Sequence, residues 1–539
     1  MPGLAGHCDT GPVTDRQRWT LIATVIGSGA VFLDGTIVNV ALKTIGEELP
    51  ATIVTVFEGQ NYVQSGYLAV LAALLILAGA LSDRYGRRRI YLIGLAGFAV
   101  TSALCGLAPT LEWLVLFRLF QGAAGALLIP GSLALITHAF HGPERGRAFG
   151  IWAASTAALT LAGPLVGGIL VDTIGWRVAF LINVPILIVA IWATLGHVEE
   201  SRDMEATGRF DWLGALVAAL AVGGLTVGLI RGEAKDWQDE SAWIAFGIGV
   251  ISLVAFPFLM ARRKDPLVPL SLFRSRVFSS INLATFFIYG ALYVTLLYQA
   301  LVLQGVLGYT ALAAGTVGVP WGLLLVALST RVGTVAGRIG SRRFLVAGPL
   351  ISATGALWYA RLPVDSTPWT ATLSDPASLI PPVSTFTDVL PAVMLFGLGM
   401  SFVVAPLTTT LMGSVSGRYS GLASAINNSI SRVGSPLIGA LIFIVVSATF
   451  YAVLGSLLPD LDTSSSAVRA LYQPLNPAPA GASPAEMAAQ MQASIDAFHL
   501  AAVINAGLLA TGAIISFVGL RASAMPTTPA ALAPETAYS

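Results

Sequence analysis

Fourteen stretches of about 20 mostly apolar residues follow one another along this chain, and no other feature limits its fold so severely. They lie near 19–41, 62–80, 90–108, 112–136, 147–171, 178–196, 212–231, 241–260, 277–303, 312–332, 344–361, 388–411, 421–447 and 499–519. Each is long enough to cross a hydrocarbon core of about 30 Å as a helix. Lipid offers backbone amides no partners, so a segment that satisfies its own hydrogen bonds is required. Charged residues make up only 11% of the chain, against roughly 25% in soluble domains. The expectation is an all-α integral membrane protein with 14 transmembrane helices. The first apolar stretch, from Trp19 past Ala41, is too long for the core of a signal peptide and reads as a retained helix.

Lys and Arg decide orientation. One set of alternating loops carries Arg84, Arg87, Arg88, Arg89, Arg145, Arg147, Arg202, Arg209, Arg262, Arg263, Lys264, Arg274, Arg276, Arg331, Arg338, Arg342, Arg343 and Arg418, with Arg16, Arg18 and Arg521 at the ends. The other set has only Lys43, Arg177, Arg231, Lys235, Arg361 and Arg469. Both termini are therefore expected in the cytoplasm and the protein in the cytoplasmic membrane. Net charge is +1, which gives no bulk case for nucleic acid. Cys8 and Cys105 lie in unlike settings and have no metal-type spacing. His138 and His141 lack the further ligands a metal needs. Lys occurs only three times and no GxxxxGK[ST] is present, so energy must come from an ion gradient or a partner. No cofactor and no enzymatic activity are expected. Glu58, Asp172 and Asp211 sit near span ends and read as solvated.

Three charges fall deep inside spans: Asp34, Arg118 and, in the thirteenth, Arg432. Asp34 lies about 15 residues, or roughly 22 Å, into the first helix. Arg118 lies in the fourth, with Gln121 one turn on. A buried charge costs at least about 2.5 kcal/mol on insertion scales unless it is neutralised, paired or hydrated. Asp34 can take up a proton, and Arg118 cannot lose one.

Several motifs carry a family resemblance. Between spans 2 and 3, Gly79-Ala80-Leu81-Ser82-Asp83-Arg84-Tyr85-Gly86-Arg87-Arg88-Arg89 resembles the signature loop of the major facilitator superfamily. Leu33-Asp34-Gly35-Thr36 in span 1 resembles the first-helix motif of its fourteen-span drug:proton antiporter family, although Lys43 stands where that family has Pro. Arg118-Leu119-Phe120-Gln121-Gly122 is similar to the second motif. Gly163-Pro164-Leu165-Val166-Gly167-Gly168 in span 5 looks like the core of the antiporter motif, with Leu159 in place of its first Gly. Trp176–Pro185, Leu303–Tyr309 and Ala425–Val433 add to the likeness, which covers about 19–447. The second copy of the loop, Gly337–Arg343, lacks an Asp.

The resemblance implies a proton-coupled exporter of lipophilic or cationic drugs and related small molecules, driven by the proton gradient. An exporter of an endogenous lipid or secondary metabolite is the alternative; a receptor and a nutrient symporter are disfavoured by the first-half and span-5 motifs. It implies two six-helix halves, 19–196 and 277–519, around a cavity. An N-terminal stretch (1–18), two extra spans within 197–276, an outer loop at 450–497 holding a short amphipathic helix at 484–497, and a disordered tail (520–539) complete the layout. Asp34 and Arg118 would couple protons. Gly79, Asp83, Arg84, Gly86, Arg87 and Arg88 would form the cytoplasmic gate, and Gly163, Pro164, Gly167 and Gly168 the antiport element. Polar and aromatic groups in spans supply cavity candidates: Gln64, Tyr67, Trp152, Phe287, Tyr289, Tyr293, Tyr298, Gln299, Trp321, Asn427, Asn428 and Arg432. Expected partners are the small-molecule substrate, protons and the bilayer, with the chain acting as a monomer.

Overall fold

The computed structural model describes residues 14–140, 142–202, 211–235, 237–415 and 420–520. The N-terminal stretch up to residue 13, the tail from 521, His141, Arg209 and Arg418 lie outside the described residues, as does the side chain of Asp83.

The helices run α1 (Asp15–Glu48), α2 (Val56–Tyr85), α3 (Arg87–Gly106), α4 (Leu111–Ala139), α5 (Gly142–Thr173), α6 (Arg177–Leu181), α7 (Asn183–His197), α8 (Trp212–Ala234), α9 (Glu240–Arg262), α10 (Arg276–Leu301), α11 (Ala311–Val317), α12 (Val319–Ile339), α13 (Ser341–Tyr359), α14 (Leu390–Gly413), α15 (Ser420–Leu457), α16 (Ser466–Leu471) and α17 (Pro484–Gly519). Capping boxes at Thr14 and Thr55 start α1 and α2, satisfying amides that lipid could not. Among the described residues, thirteen helical segments are long and apolar enough to cross a membrane. The remaining expected span, 344–361, coincides with α13. Its 19 residues begin with Ser341-Arg342-Arg343 and include Pro349, which dilutes its apolar character, yet it packs along α14 and α17 like its neighbours.

α1–α7 pack mainly on one another, and α10–α17 form a second group. The pair α8–α9 stands apart: α8 touches α2 and α15, one from each group, while α9 turns Ile244, Ile251, Leu253, Val254 and Phe258 outward. Such a ring of exposed apolar side chains suits lipid rather than water. The two groups meet at the end of the bundle opposite the described chain termini. Phe57 stacks on Phe443 with ring centroids 4.8 Å apart. The backbone amides of Ala311 and Leu312 donate to Asp172 at 3.2 and 2.7 Å.

Two expectations are corrected. No separate amphipathic helix occupies 484–497; α17 is continuous over 36 residues, because the Ser483–Glu486 capping box starts the helix that the last span then continues. Glu58 and Asp211 are not solvated. Glu58 is fully buried 3.6 Å from Arg231 of α8, and Asp211 caps α8 while also accepting from the Leu267 amide. Within the long outer loop, Tyr472–Asn476 are buried. Gln60 and Asn476 exchange amide hydrogen bonds of 2.9 and 3.0 Å, and the Phe57 amide donates to Gln473 at 3.2 Å.

Candidate functional site

Asp34 and Arg118 are both completely buried and form a direct ion pair. Their helices make this possible. α1 passes α4 closely, and α4 crosses α2 where Gly122 lies against the Tyr67 carbonyl, so any side chain there would collide with backbone. Asp34 accepts through Oδ2 from Arg118 Nη1, and through Oδ1 from Gln121 Nε2 at 3.1 Å and Asn183 Nδ2 at 3.2 Å. Arg118 also donates to the Val63 carbonyl at 3.0 Å and to Gln121 Oε1 at 2.8 Å. Its guanidinium carbon sits 4.0 Å from the centroid of the Tyr67 ring. Ser102 knits the shell together: it accepts from Gln121 and Asn183 at 3.2 and 3.1 Å and donates to the Phe180 carbonyl at 2.8 Å.

Two charges taken out of solvent are tolerated only when their remaining donors and acceptors are also met. Here a carboxylate receives three donors, a cation finds two further acceptors and a ring face, and α1, α2, α3, α4 and α7 each contribute a group, while Arg118 Nη2 and Asn183 Oδ1 have no partner. Asn183 and Ser102 had no assigned role in the sequence reading. Asn183 sits inside a quoted motif, but Ser102 lies in an apolar stretch and nothing local marks it.

Gly163 and Gly167 of α5 face α1. Atoms added to them would strike Thr36 and Ile37, and Thr36 Oγ1 donates to the Thr160 carbonyl at 3.0 Å. Gly168 faces the other way, onto Ala311 and Leu312 of α11, while Gly315 of α11 abuts the Pro164 carbonyl. The glycines therefore bring one helix into backbone contact with both groups at once.

In the α2–α3 loop, Gly86 adopts φ 109°, a conformation that favours glycine. Glu200, absent from the sequence reading, lies against it and accepts from the Arg88 and Arg89 amides at 3.1 Å each. It thereby caps the positive end of α3. Arg88 also donates to the Leu195 carbonyl at 2.6 Å. Gly79 is spatially less critical: an added carbon would meet only Pro130, at 3.7 Å.

The cavity candidates separate. Tyr67 belongs to the ion-pair pocket, and Gln64 donates to the Gly35 carbonyl of α1 at 3.1 Å. Asn427 bridges α15 to Asn282 and Thr285 of α10, and Asn428 bonds its own helix at Ser424. Tyr298 packs edge-on to Phe57, Phe287 packs on Phe286, and Trp321 is wedged against Gly397. Gln299 is half-buried. Trp152, on α5, and Arg432, on α15, both lie against Phe32 of α1, with separations of 6.4 and 5.4 Å. Tyr293 of α10 packs on the same first-group cluster. The candidates Trp152, Tyr293 and Arg432 thus gather where the two groups face each other. No cluster of metal-ligating residues is present among the described residues.

Known proteins resemble this chain along most of its length. The Multidrug resistance protein Stp of Mycobacterium tuberculosis is 33% identical over 82% of this chain and 79% of its own. The Tetracenomycin C resistance and export protein of Streptomyces glaucescens is 31% identical, covering 85% and 80%. The Methylenomycin A resistance protein of Bacillus subtilis is 30% identical, covering 81% and 89%. Among solved structures, a bacterial homologue of the human lysosomal transporter Spinster, in an inward-facing and unoccupied conformation, superposes with a TM-score of 0.61 at 17% identity, over 94% of this chain and 98% of that one. At that identity the likeness speaks for the fold alone. The sequence profile of the Major Facilitator Superfamily matches residues 24–439, and the chain, a multi-pass membrane transporter, belongs to that superfamily.

Proposed function

We propose that this protein is a proton-coupled antiporter that exports lipophilic or cationic drugs and related small molecules across the cytoplasmic membrane. The observation that carries the reading is the fully buried Asp34–Arg118 pair. Asp34 is the member of that pair able to change charge. Once protonated it no longer anchors Arg118, whose remaining protein acceptors are Val63 and Gln121, and the balance between α1 and α4 shifts. Proton entry from the outer face favours the inward-open state, and proton loss to the cytoplasm accompanies substrate loading. The halves, 19–196 and 277–519, rock about the substrate site in alternating access, with the α8–α9 pair as a lateral addition. The loop around Gly79, Asp83, Arg84, Gly86, Arg87 and Arg88 closes the cytoplasmic end. The α5 element at Gly163, Pro164, Gly167 and Gly168 seals α1 against α11. Both termini lie in the cytoplasm, the chain works as a monomer, and the proton gradient is the only energy source.

Reconstituted into proteoliposomes with an imposed pH gradient, the protein should release protons when substrate is added, and Asp34→Asn should abolish both this and uphill export. Uphill export by Asp34→Asn would overturn the assignment. Reversing the gradient separates antiport from symport, because the two give opposite substrate flux. Export of a secondary metabolite is a second reading. It is favoured by the relatives named for tetracenomycin C export and as a probable actinorhodin transporter of Streptomyces coelicolor. Comparing culture media of a deletion strain and its parent tests it.

A further inference from the structure

Arg432 differs from every other charge placed deep in the bundle. It is 5% exposed, its Nε has no hydrogen-bond partner, and no ion pair or hydrogen bond reaches it among the described residues. Its one close polar-type contact is the face of the Phe32 ring, 5.4 Å from the guanidinium carbon. Arg118, by contrast, is neutralised by Asp34. The sequence leaves no acid to do the same for Arg432. Glu58, Glu112, Asp172, Asp211, Asp388 and Glu486 all lie at helix ends, Asp34 is already engaged by Arg118, and Asp496 lies about 24 Å of helix rise before Gly512, which packs on Ile288 of α10 at the level of Arg432. A guanidinium cannot discharge, so its charge must be met by something that is not part of the chain. The place is also the right one: Phe32, Trp152, Tyr293 and Arg432 come from α1, α5, α10 and α15, on both sides of the seam.

We infer that Arg432 is an anion-recognition residue of the substrate site, and that the preferred substrates are aromatic molecules bearing a carboxylate or an ionised phenol. The planar fork of donors matches a carboxylate in two-point contact. Phe32 and Trp152, paired edge to face at 6.4 Å, and Tyr293 supply apolar faces for an aromatic body. A lipophilic cation gains from the rings but meets an unneutralised positive charge. This rests on the exporter reading above and narrows its substrate class.

The test uses three probes: dichlorofluorescein as the aromatic anion, Nile red as the uncharged probe and tetraphenylphosphonium as the cation. Binding to the purified full-length protein in detergent is measured first, then transport and proton release in proteoliposomes. Arg432→Gln should weaken dichlorofluorescein binding at least tenfold, the scale of losing a hydrogen bond to a charged group. Arg432→Lys should restore part of it, and Nile red binding should change less than about threefold. Unchanged dichlorofluorescein binding by Arg432→Gln, or tetraphenylphosphonium binding as tight as that of the anion, would overturn the inference. Anion movement without proton movement would instead defeat the coupling mechanism and leave the anion preference standing.

Discussion

The two helical groups solve the same packing problem with opposite chemistry. In the first, the first, third, fourth and sixth spans converge on Asp34, Ser102, Arg118, Gln121 and Asn183. In the second, the corresponding α10 and α17 meet through Asn505, which donates to Thr295 at 2.9 Å, beside Tyr298 and, from α13, Tyr359. The fourth span of that group, α14, contains no charged residue. The last helix of each group thus offers an Asn to the first helix. In one case the Asn meets a carboxylate, in the other a hydroxyl. A neutral Asn–Thr contact holds helices together at any pH, whereas a carboxylate–guanidinium pair holds them only while the carboxylate is charged. The difference is that the buried centre of the first group holds a charge a proton can remove, whereas the Asn505–Thr295 contact at the centre of the second holds none.

The largest effect should come from splitting the pair. Arg118→Leu leaves an uncompensated carboxylate at full burial and should cost about 3–5 kcal/mol. Asp34→Asn with Arg118→Gln should recover most of that stability but no proton coupling. Thermal unfolding in detergent, followed alongside proton release, reads both. Wild-type thermal stability in Arg118→Leu would remove the distinction between the groups at its root.

Next is the seam. Gly315 of α11 presses on the Pro164 carbonyl, so Gly315→Val has no space and should destabilise by about 1–3 kcal/mol. Gly337, in the last turn of α12, has nothing within 4 Å of an added carbon, and Gly337→Ala should be near neutral. Equal effects would mean that backbone contact between the groups is not what Gly315 secures.

Within the second group, Asn505→Leu should cost only about 1 kcal/mol, because Thr295 keeps its bond to the Ala291 carbonyl at 2.8 Å. Proton coupling should be unaffected. If Asn505→Leu abolished coupling while the protein stayed folded, the second group would share the proton chemistry and the contrast would fail.

Much of this was legible in the sequence, and the boundary is physical. Hydropathy marks spans because lipid admits almost nothing else, and Asp34 and Arg118 stand out because charge in an apolar helix is costly. Gln121 is visible as well, one turn from Arg118. Ser102 is not, since a lone Ser in an apolar helix more often bonds its own backbone. The buried Tyr472–Asn476 segment is also hidden: its Pro, Asn and Gln look solvated until the partners Gln60 and Phe57, about 400 residues earlier, are brought beside it. α13 shows the reverse: a helix stands where a span was expected, although its own composition is marginal.

Glu200 marks the smallest and most local asymmetry. The turns before α3 and α13 use the same backbone device, Gly86 at φ 109° and Gly340 at φ 96°. An atom added at Gly86 would meet the Glu200 carboxylate 2.7 Å away, whereas Gly340 has nothing within 4 Å. The first turn is therefore tied to the segment after α7 through the Arg88 and Arg89 amides. Glu200→Gln keeps the shape and removes the charge at the α3 N-terminus, a loss of about 0.3–1 kcal/mol that added salt should mask. Hydrogen exchange at the first turns of α3 and α13 provides the measurement. Faster exchange at Arg88 and Arg89 than in the wild type, with the α13 turn unchanged, is the expected result; no change at α3 would show that the two turns are equivalent and that the asymmetry between the groups is confined to their buried centres.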